Sequence, residues 1–447
     1  MNDIEHHVES ESLLCRYPQF SSLIKKQISN IDPVLFRQQK LLCGENTEKI
    51  AATISPFNSY EMAQEQSSTL GESLLKKGKL ACLLVAGGQG SRLGFKGPKG
   101  KFPLTTEKNK SLFQYFAEKV LAASRQVERD LHIAIMTSEQ NHEETLEFFQ
   151  KHKYFGLKKE QIDFFTQKSL PLLNTEKQLF LSAPGQIAMG AAGNGTALYD
   201  LTQAGITQRW KNLGIEYVHF IQVDNPLSDP FDAKLLSFHV SKELDISVKC
   251  ALRKDPEESV GILVEKDNRV AVVEYSEIDE RERKLCDGKG QLIHRCANLS
   301  QFCFNLDFIL KVAGQGLATM PLHIASKTSL SWEKESNEKK IAVWKSEYFI
   351  FDVMAYSSKV AALLYSRKDC FAPLKNASGR DSIEEVRNAL LQSDRKAYEA
   401  LSGCSAPSRV FELALDFYYP SPKMAAYWWG RSLPERPYID AFIDMQL

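Results

Sequence analysis

The 447-residue chain has no excess of either charge: 56 lysines and arginines balance 56 aspartates and glutamates. It therefore has no global field to draw in nucleic acid or an anionic membrane, and any anion it binds must be met locally. No apolar run approaches the roughly 18–20 residues of a membrane-spanning helix. The opening Met1-Asn-Asp-Ile-Glu-His-His-Val-Glu is acidic and does not read as a secretory signal. Cysteine is sparse and unpatterned, nine residues that never fall in a CxxC spacing. This argues against a zinc ribbon or a disulfide framework and predicts free thiols in a reducing cytoplasm. Repeats and low-complexity tracts are missing too. What is left is ordinary globular composition, with length enough for two or three domains.

Glycine, by contrast, is concentrated. The apolar run Leu80 to Ala86 reads as a buried strand and empties into a loop with glycines at 87, 88, 90, 94, 97 and 100. A glycine loop lets backbone N–H groups approach a phosphate, since there is no Cβ and positive φ is allowed. Arg92, Lys96, Lys99 and Lys101 supply cations beside it. Strand, glycine hairpin and cations together point to a nucleoside triphosphate site.

Downstream the pattern is strand–loop–helix. Ser111-Leu-Phe-Gln114 fits a capping box, with Leu112, Phe113, Phe116 and Val120 on one helical face. Leu131–Met136, Ile162–Phe165, Tyr217–Asn225, Ile246–Leu252 and Ala297–Phe304 read as strands, and Asn141 as the cap of a helix over Glu143–His152. Gly261–Val264 and Val270–Tyr275 predict a hairpin around Lys266-Asp-Asn268, closed by Glu274-Tyr-Ser-Glu277. The alternation predicts an α/β fold, a mostly parallel sheet with helices on both faces and ligands beyond the carboxyl ends of the strands. Residues 1–70 read as helical with breaks at Pro18, Pro33 and Pro56. Residues 326–346 read as an exposed excursion, and Asp352 to about Tyr365 as a helix.

Several residues carry two readings. Asp224, at the end of Tyr217–Asn225, is placed to hold Mg2+ on phosphates, or else to cap the Pro226–Pro230 turn. Gly193-Asn194-Gly195 is a plain turn, or a loop that holds a base or sugar. His294 reads as structural, and His6 and His7 as solvated. The standard phosphate loops fail. GxGxxG would need glycine where Leu93 stands, and the Walker pattern has Phe95 for its first glycine and Phe102 after Gly100-Lys101.

Ala86-Gly-Gly-Gln-Gly-Ser-Arg-Leu-Gly94 with Pro98-Lys99 is a different pattern, and it resembles the UDP-sugar pyrophosphorylases, a nucleotidyltransferase family. Within these it is most similar to the eukaryotic-type UDP-N-acetylglucosamine (UDP-N-acetylhexosamine) enzymes. Ile135-Met-Thr-Ser-Glu139, Tyr154-Phe-Gly156, Gly193-Asn-Gly195, Val223-Asp-Asn225, Val273-Glu-Tyr-Ser-Glu-Ile278, Pro321-Leu-His323 and Pro373-Leu-Lys-Asn376 follow in the family's order. The resemblance implies a helical N-terminal segment over 1–70, a Rossmann-like catalytic domain over 71–376 and a small C-terminal region over 377–447. It implies uridylyl transfer from UTP to an N-acetylhexosamine 1-phosphate with Mg2+, the sugar phosphate itself being the nucleophile.

Carried over onto this chain, the resemblance gives Val85, Ala86, Gly87 and Gly88 to the uridine end of UTP, completed by Gln167 and Gly193. Arg92, Lys99 and Lys345 fall to the triphosphate, Asp224 to metal and ribose, Asn194, Glu274, Tyr275 and Asn298 to the sugar, and Lys375 to its 1-phosphate. Arg92, Lys99 and Lys375 are then the catalytic cations. The chain departs from the family at Ala191-Ala192, Thr196, Ala297 and Gln301-Phe302, around the expected sugar pocket, so glucose 1-phosphate is the alternative acceptor. A non-catalytic nucleotide-sugar sensor is a remoter one, since such a protein is expected to lose the phosphate cations.

Overall fold

In the computed structural model, which describes residues 12–44, 54–333 and 337–442, the chain groups into two compact units, each discontinuous in sequence. The larger combines residues 51–166, 201–310 and 354–447; the smaller combines 1–50, 167–200 and 311–353. The units therefore do not change at residues 70 and 376. His6 and His7 lie outside the described residues.

The larger unit is built on one sheet. Its main strands are β1 (Tyr60–Met62), β2 (Leu80–Val85), β3 (His132–Thr137), β4 (Ile162–Thr166), β5 (Tyr217–Gln222), β6 (Ile246–Leu252), β7 (Ile262–Lys266), β8 (Arg269–Val273), β9 (Cys296–Asn305) and β10 (Val360–Leu364). They run in the order β1-β10-β6-β9-β5-β2-β3-β4, with the β7–β8 hairpin attached to β9. All neighbours along that order are parallel except β9, which is antiparallel to both β6 and β5. One reversed strand has a consequence for the site. The amino end of β9 lies beside the carboxyl end of β6, with Cys296 opposite Leu252 and Asn298 opposite Cys250. Residues from the start of β9 thus reach the edge where ligands of parallel sheets collect.

The core follows from the strand pattern. Leu80, Cys82 and Leu84 alternate onto one face and pack with Leu112, Phe113, Phe116 and Val120 of helix α1 (Leu112–Val127). Ser111 caps α1 by accepting the Gln114 N–H at 3.1 Å, but the Gln114 side chain turns to Glu118, so only half of the predicted box forms. Asn141 precedes helix α2 (His142–Lys151) without capping it through its side chain. Helix α3 (Ala233–Ser241) is capped by Asp232, and helix α4 (Ile383–Ser402) by Ser382.

Three expectations are corrected. Asp352 to about Tyr365 is not a helix: a 3-10 turn covers Ile350–Tyr356, and Val360–Leu364 is strand β10 between β6 and β1. Ala361 and Ala362 carry helical propensity, but pairing on both edges outweighs it. The N-terminal 70 residues are not helical throughout, since residues 55–56 and 60–62 form strands that pair with β7 and β10. Pro18 and Pro33 start helical turns, with Asp32 capping the second by accepting from the N–H groups of Val34 and Leu35. Third, residues 326–346 lie largely at the surface as expected, but the described ones are regular strand. His323–Glu333 and Asn337–Glu347 form an antiparallel hairpin in the smaller unit, tied to Leu173–Asn174 through Val343 and Trp344. That unit packs its own core from Leu13, Ile24, Phe36, Leu173, Leu181 and Ile187.

Candidate active site

The glycine loop is a folded hairpin. Gly90 N–H donates to the Gly97 carbonyl at 3.0 Å and Lys99 N–H to the Gly88 carbonyl at 3.0 Å, closing the segment on itself. Its glycines serve different ends. Gly97, at φ +112°, sits where a Cβ would stand 2.8 Å from the Glu144 carboxylate, and a Cβ at Gly100 would enter the Phe113 ring at 2.2 Å. Gly97 is required by its backbone conformation and Gly100 by packing. Gly88 is exposed, has no positive φ, and a Cβ there would meet open space. Its missing side chain clears room above the loop and relieves no strain within it. Lys101 is committed to Glu144 at 2.5 Å and lies over Phe148.

Asn141 holds this loop in place. It is fully buried; its Nδ2 donates to the Ala86 carbonyl at 3.1 Å and, at 3.5 Å, to that of Gly88, while its Oδ1 accepts the Ser138 N–H. Sequence gave it a helix cap. The structure gives it the backbone of the loop instead.

The cations converge at the end of β5. Lys99, 8% exposed, donates from Nζ to the Leu374 carbonyl at 3.1 Å and lies 3.8 Å from the Asp224 carboxylate. Burial pulls its ammonium below the ordinary lysine value; Asp224 opposes this, and the charges of Arg92 and Lys375 add to it. Lys99 therefore feels both other cations as well as the acid. Leu374 links the parts, because its own N–H donates to the Asp224 carbonyl at 2.7 Å. Lys375 follows, its N–H on the Asp381 carbonyl at 2.8 Å and its ammonium 3.9 Å from the Asp381 carboxylate.

Asn225 fastens the same segment. Only 2% exposed, it donates from Nδ2 to Ser228 Oγ and to the Cys370 carbonyl at 2.8 Å, and accepts the Ala372 N–H at 3.0 Å. Below it, Lys119 donates to the carbonyls of Pro226 and Ser228, each at 2.7 Å, fixing the turn after Asn225. Burial lowers the Lys119 ammonium to about 8 even though Asp229 favours its charge. Lys249 pairs with Asp232 in the same interior; burial pushes the Asp232 carboxyl up, but Lys249 outweighs it and holds the group at about 2. The sequence carried one sign of this. Lys119 lies three residues after Phe116 and seven after Leu112, a lysine on the apolar stripe of α1.

Glu274 and Asn298 come together beside the β7–β8 hairpin. A Cβ at Gly261 would stand 3.3 Å from the Glu274 carboxylate and 3.8 Å from Asn298 Cβ, so those side chains flank one glycine. Asn298 spends its Oδ1 on the Ser300 N–H at 3.0 Å, within a bulge where Ser300 takes φ +50°. Tyr275 is 40% exposed. Gln301 and Phe302, expected near a sugar, are buried mid-strand: Phe302 packs on Phe220 and Phe304, and Gln301 donates to the Cys370 carbonyl. His294 is buried with Nε2 on Glu282, as a structural histidine.

Gln167, Gly193, Asn194 and Lys345 belong to the smaller unit. Gln167 is buried. Gly193, at φ +88°, lies so close to Tyr348 that a Cβ would stand 2.4 Å from its carbonyl oxygen. Asn194 accepts the Ile350 N–H at 3.1 Å, and Lys345 pairs with Glu347 at 2.8 Å. Asp200, beside this turn, accepts the Lys168 N–H, and burial raises its carboxyl to about 6.

The family model described as UTP–glucose-1-phosphate uridylyltransferase matches residues 35–413. The chain belongs to that family. Membership makes it a uridylyltransferase, whose substrates are UTP and a sugar 1-phosphate. Among relatives, a probable UDP-N-acetylglucosamine pyrophosphorylase of Dictyostelium discoideum is 33% identical over 79% of this chain and 75% of its own. The UDP-N-acetylglucosamine pyrophosphorylase of Saccharomyces cerevisiae is 31% identical over 86% of this chain and 84% of its own. The crystal structure of a UDP-N-acetylglucosamine pyrophosphorylase described as putative, from Entamoeba histolytica, superposes with a TM-score of 0.76 at 26% identity, covering 87% of this chain and 98% of that one.

The donor set can be tested against Mg2+. Asp224 keeps an 18% exposed side chain and only a loose contact with Lys99. Among the described residues no three acidic, histidine or cysteine side chains gather as a metal cage. One carboxylate beside a cluster of cations suits Mg2+, which takes few protein ligands and can share the rest with phosphate oxygens and water. Among the same residues, no helix is long and apolar enough to cross a membrane.

Proposed function

We propose that this uridylyltransferase makes UDP-N-acetylglucosamine and pyrophosphate from UTP and N-acetylglucosamine 1-phosphate, acting in the cytoplasm. The observation that carries the site assignment is the pinning of Lys99 between Asp224 and Leu374, with Lys375 next in the chain. An oxygen of the sugar phosphate attacks the α-phosphorus of UTP; that bond forms as the bond to the β-phosphate oxygen breaks, and pyrophosphate leaves. Two anions must meet, so the barrier falls to positioned cations rather than to a serine, cysteine or histidine nucleophile. Lys375 holds the sugar phosphate. Lys99 and Arg92 face the triphosphate, with Val85–Gly88 along the uridine. Asp224 would hold Mg2+, which when bound screens the phosphates and steadies the departing pyrophosphate. In this reading Glu274, Tyr275 and Asn298 hold the sugar, and the resemblance alone gives Gln167, Gly193 and Lys345 to UTP and Asn194 to the sugar.

The acetamido sugar is supported by the names of the relatives; the family's own description supports glucose 1-phosphate as the second reading. The test is pyrophosphate release from UTP and Mg2+ with each of N-acetylglucosamine, N-acetylgalactosamine and glucose 1-phosphates. Preference for glucose 1-phosphate overturns the sugar, and no release with any acceptor overturns the turnover.

A further inference from the structure

A cavity of about 850 Å³ lies in the larger unit between α4 and the segment that precedes Lys375. Its size is that of a small-molecule site. Phe371, Ala372 and Pro373 form one wall, Val386 and Ala389 of α4 another, and Ala406 with Pro407 a third. Lys375 itself is not among its lining residues. Charge in the wall is unevenly satisfied. Asp369 is taken by Lys396 at 2.7 Å, Glu385 accepts the Asp381 N–H, Glu399 accepts the Ala406 N–H, and Arg367 is held by Glu258. Lys254, Lys368 and Arg395 have no carboxylate partner among the described residues; Arg395 donates only to backbone carbonyls, at Ser408 and Arg409. Glu385 and Glu399 meet backbone N–H groups rather than a cation, so three unpaired cations face two unpaired carboxylates around a partly apolar interior, a small excess of positive charge.

We propose that this cavity is an effector site for a small amphipathic anion, an apolar ring body carrying one acidic group, whose occupancy is transmitted to Lys375. The acidic group faces Lys254, Lys368 and Arg395; the ring packs on Phe371, Pro373 and Ala389. Transmission follows from the walls. Phe371–Pro373 run directly into Leu374, which is bound to Asp224 and Lys99, and the lining residue Asp381 holds Lys375 by backbone and side chain. A ligand there touches both anchors of the lysine's loop. The effect on turnover rests on Lys375 as the sugar-phosphate cation; binding to the cavity does not.

The probe is 8-anilinonaphthalene-1-sulfonate, titrated into the full chain by fluorescence, with hydrogen exchange read over residues 371–382. The expected result is saturable one-site binding that slows exchange there and changes kcat at least about twofold. Ala389→Trp, which fills the cavity, removes binding, and the exposed pair Lys254→Ala with Lys368→Ala weakens it about tenfold or more. Binding that is absent, or indifferent to both variants, overturns the site. Binding without change in exchange overturns the transmission. Slowed exchange with unchanged kcat leaves the effector site standing and counts against the role given to Lys375.

Discussion

Asn225→Asp tests how the loop that carries Lys375 is held. The substitution keeps the side chain's shape and its acceptance of the Ala372 N–H, but replaces the Nδ2 donor by oxygen. The hydrogen bond to the Cys370 carbonyl at 2.8 Å disappears and an oxygen then faces that carbonyl, while Ser228 Oγ, a hydroxyl, can turn to donate to the new oxygen. The lost bond is worth about 0.5–1.5 kcal/mol, and a buried acceptor left short costs about 1–3 more. Gln301 still donates to Cys370 at 3.2 Å, which keeps the total near the low end, at about 2–3 kcal/mol. If that energy holds Lys375 in place, turnover falls roughly 30- to 150-fold, since each 1.36 kcal/mol is tenfold in rate. The assay is steady-state pyrophosphate release, with urea unfolding to record stability. The decisive comparison is the same substitution in a Lys375→Ala background, where the further loss in kcat should shrink to about threefold or less, because residues that act as a unit are not additive. An undiminished loss there refutes the argument, as does an unchanged kcat in a destabilised single variant.

The glycines separate by role: Gly88→Ala should leave the melting temperature unchanged and raise KM for UTP about tenfold. Gly100→Ala, driven into the Phe113 ring, should cost roughly 1–3 kcal/mol in urea unfolding. Equal stability losses would contradict the distinction. Lys249→Met strands the Asp232 carboxylate in the interior and should cost about 3–5 kcal/mol, most of it recovered by adding Asp232→Asn; a neutral single variant would remove the pair from the account. Asp394 is buried against Tyr418, and burial raises its carboxyl to about 7, above its unfolded value. The folded state then binds more protons than the unfolded one between about pH 4 and 7, so this group makes stability fall as pH rises through that window. Asp394→Asn should flatten the slope, as measured by denaturant unfolding at a series of pH values; an unchanged slope assigns it elsewhere.

Much of the larger unit was legible because its signals are local. Leu80–Val85, Ile246–Leu252 and Tyr217–Gln222 are apolar runs of strand length, and the Asp267-Asn268 turn takes the two positive φ values of a tight hairpin. Where the local signal and the pairing disagreed, pairing won: Val360–Leu364 looks helical from composition and becomes a strand between two others. The long hairpin at 323–347 was missed because most of its residues are polar or charged and only a few, Ser331, Val343 and Ser346 among them, are buried, so no apolar alternation marks the strands.

The site divides along the same line. Asp224 stands out at a strand end and Arg92 and Lys99 beside a glycine loop, whereas Lys375 took its role from the family resemblance alone; the larger unit brings Arg92, Asp224 and Lys375 within electrostatic reach of Lys99. What holds them is written in amides whose partners are far away in the chain. Asn141 reaches back 55 residues to Ala86, and Asn225 reaches forward 145 to Cys370. Nothing in either residue's own neighbourhood distinguishes it from a helix cap or turn former, because an amide reads backbone wherever the fold brings it. A cation that must meet a phosphate with little reorganisation needs a rigid carrier, and here that carrier is main chain fixed by buried amides and by Lys119 beneath the turn. Precision at Lys375 therefore depends on residues that touch no substrate, so variants at Asn141 and Asn225 should reduce turnover before they unfold the chain.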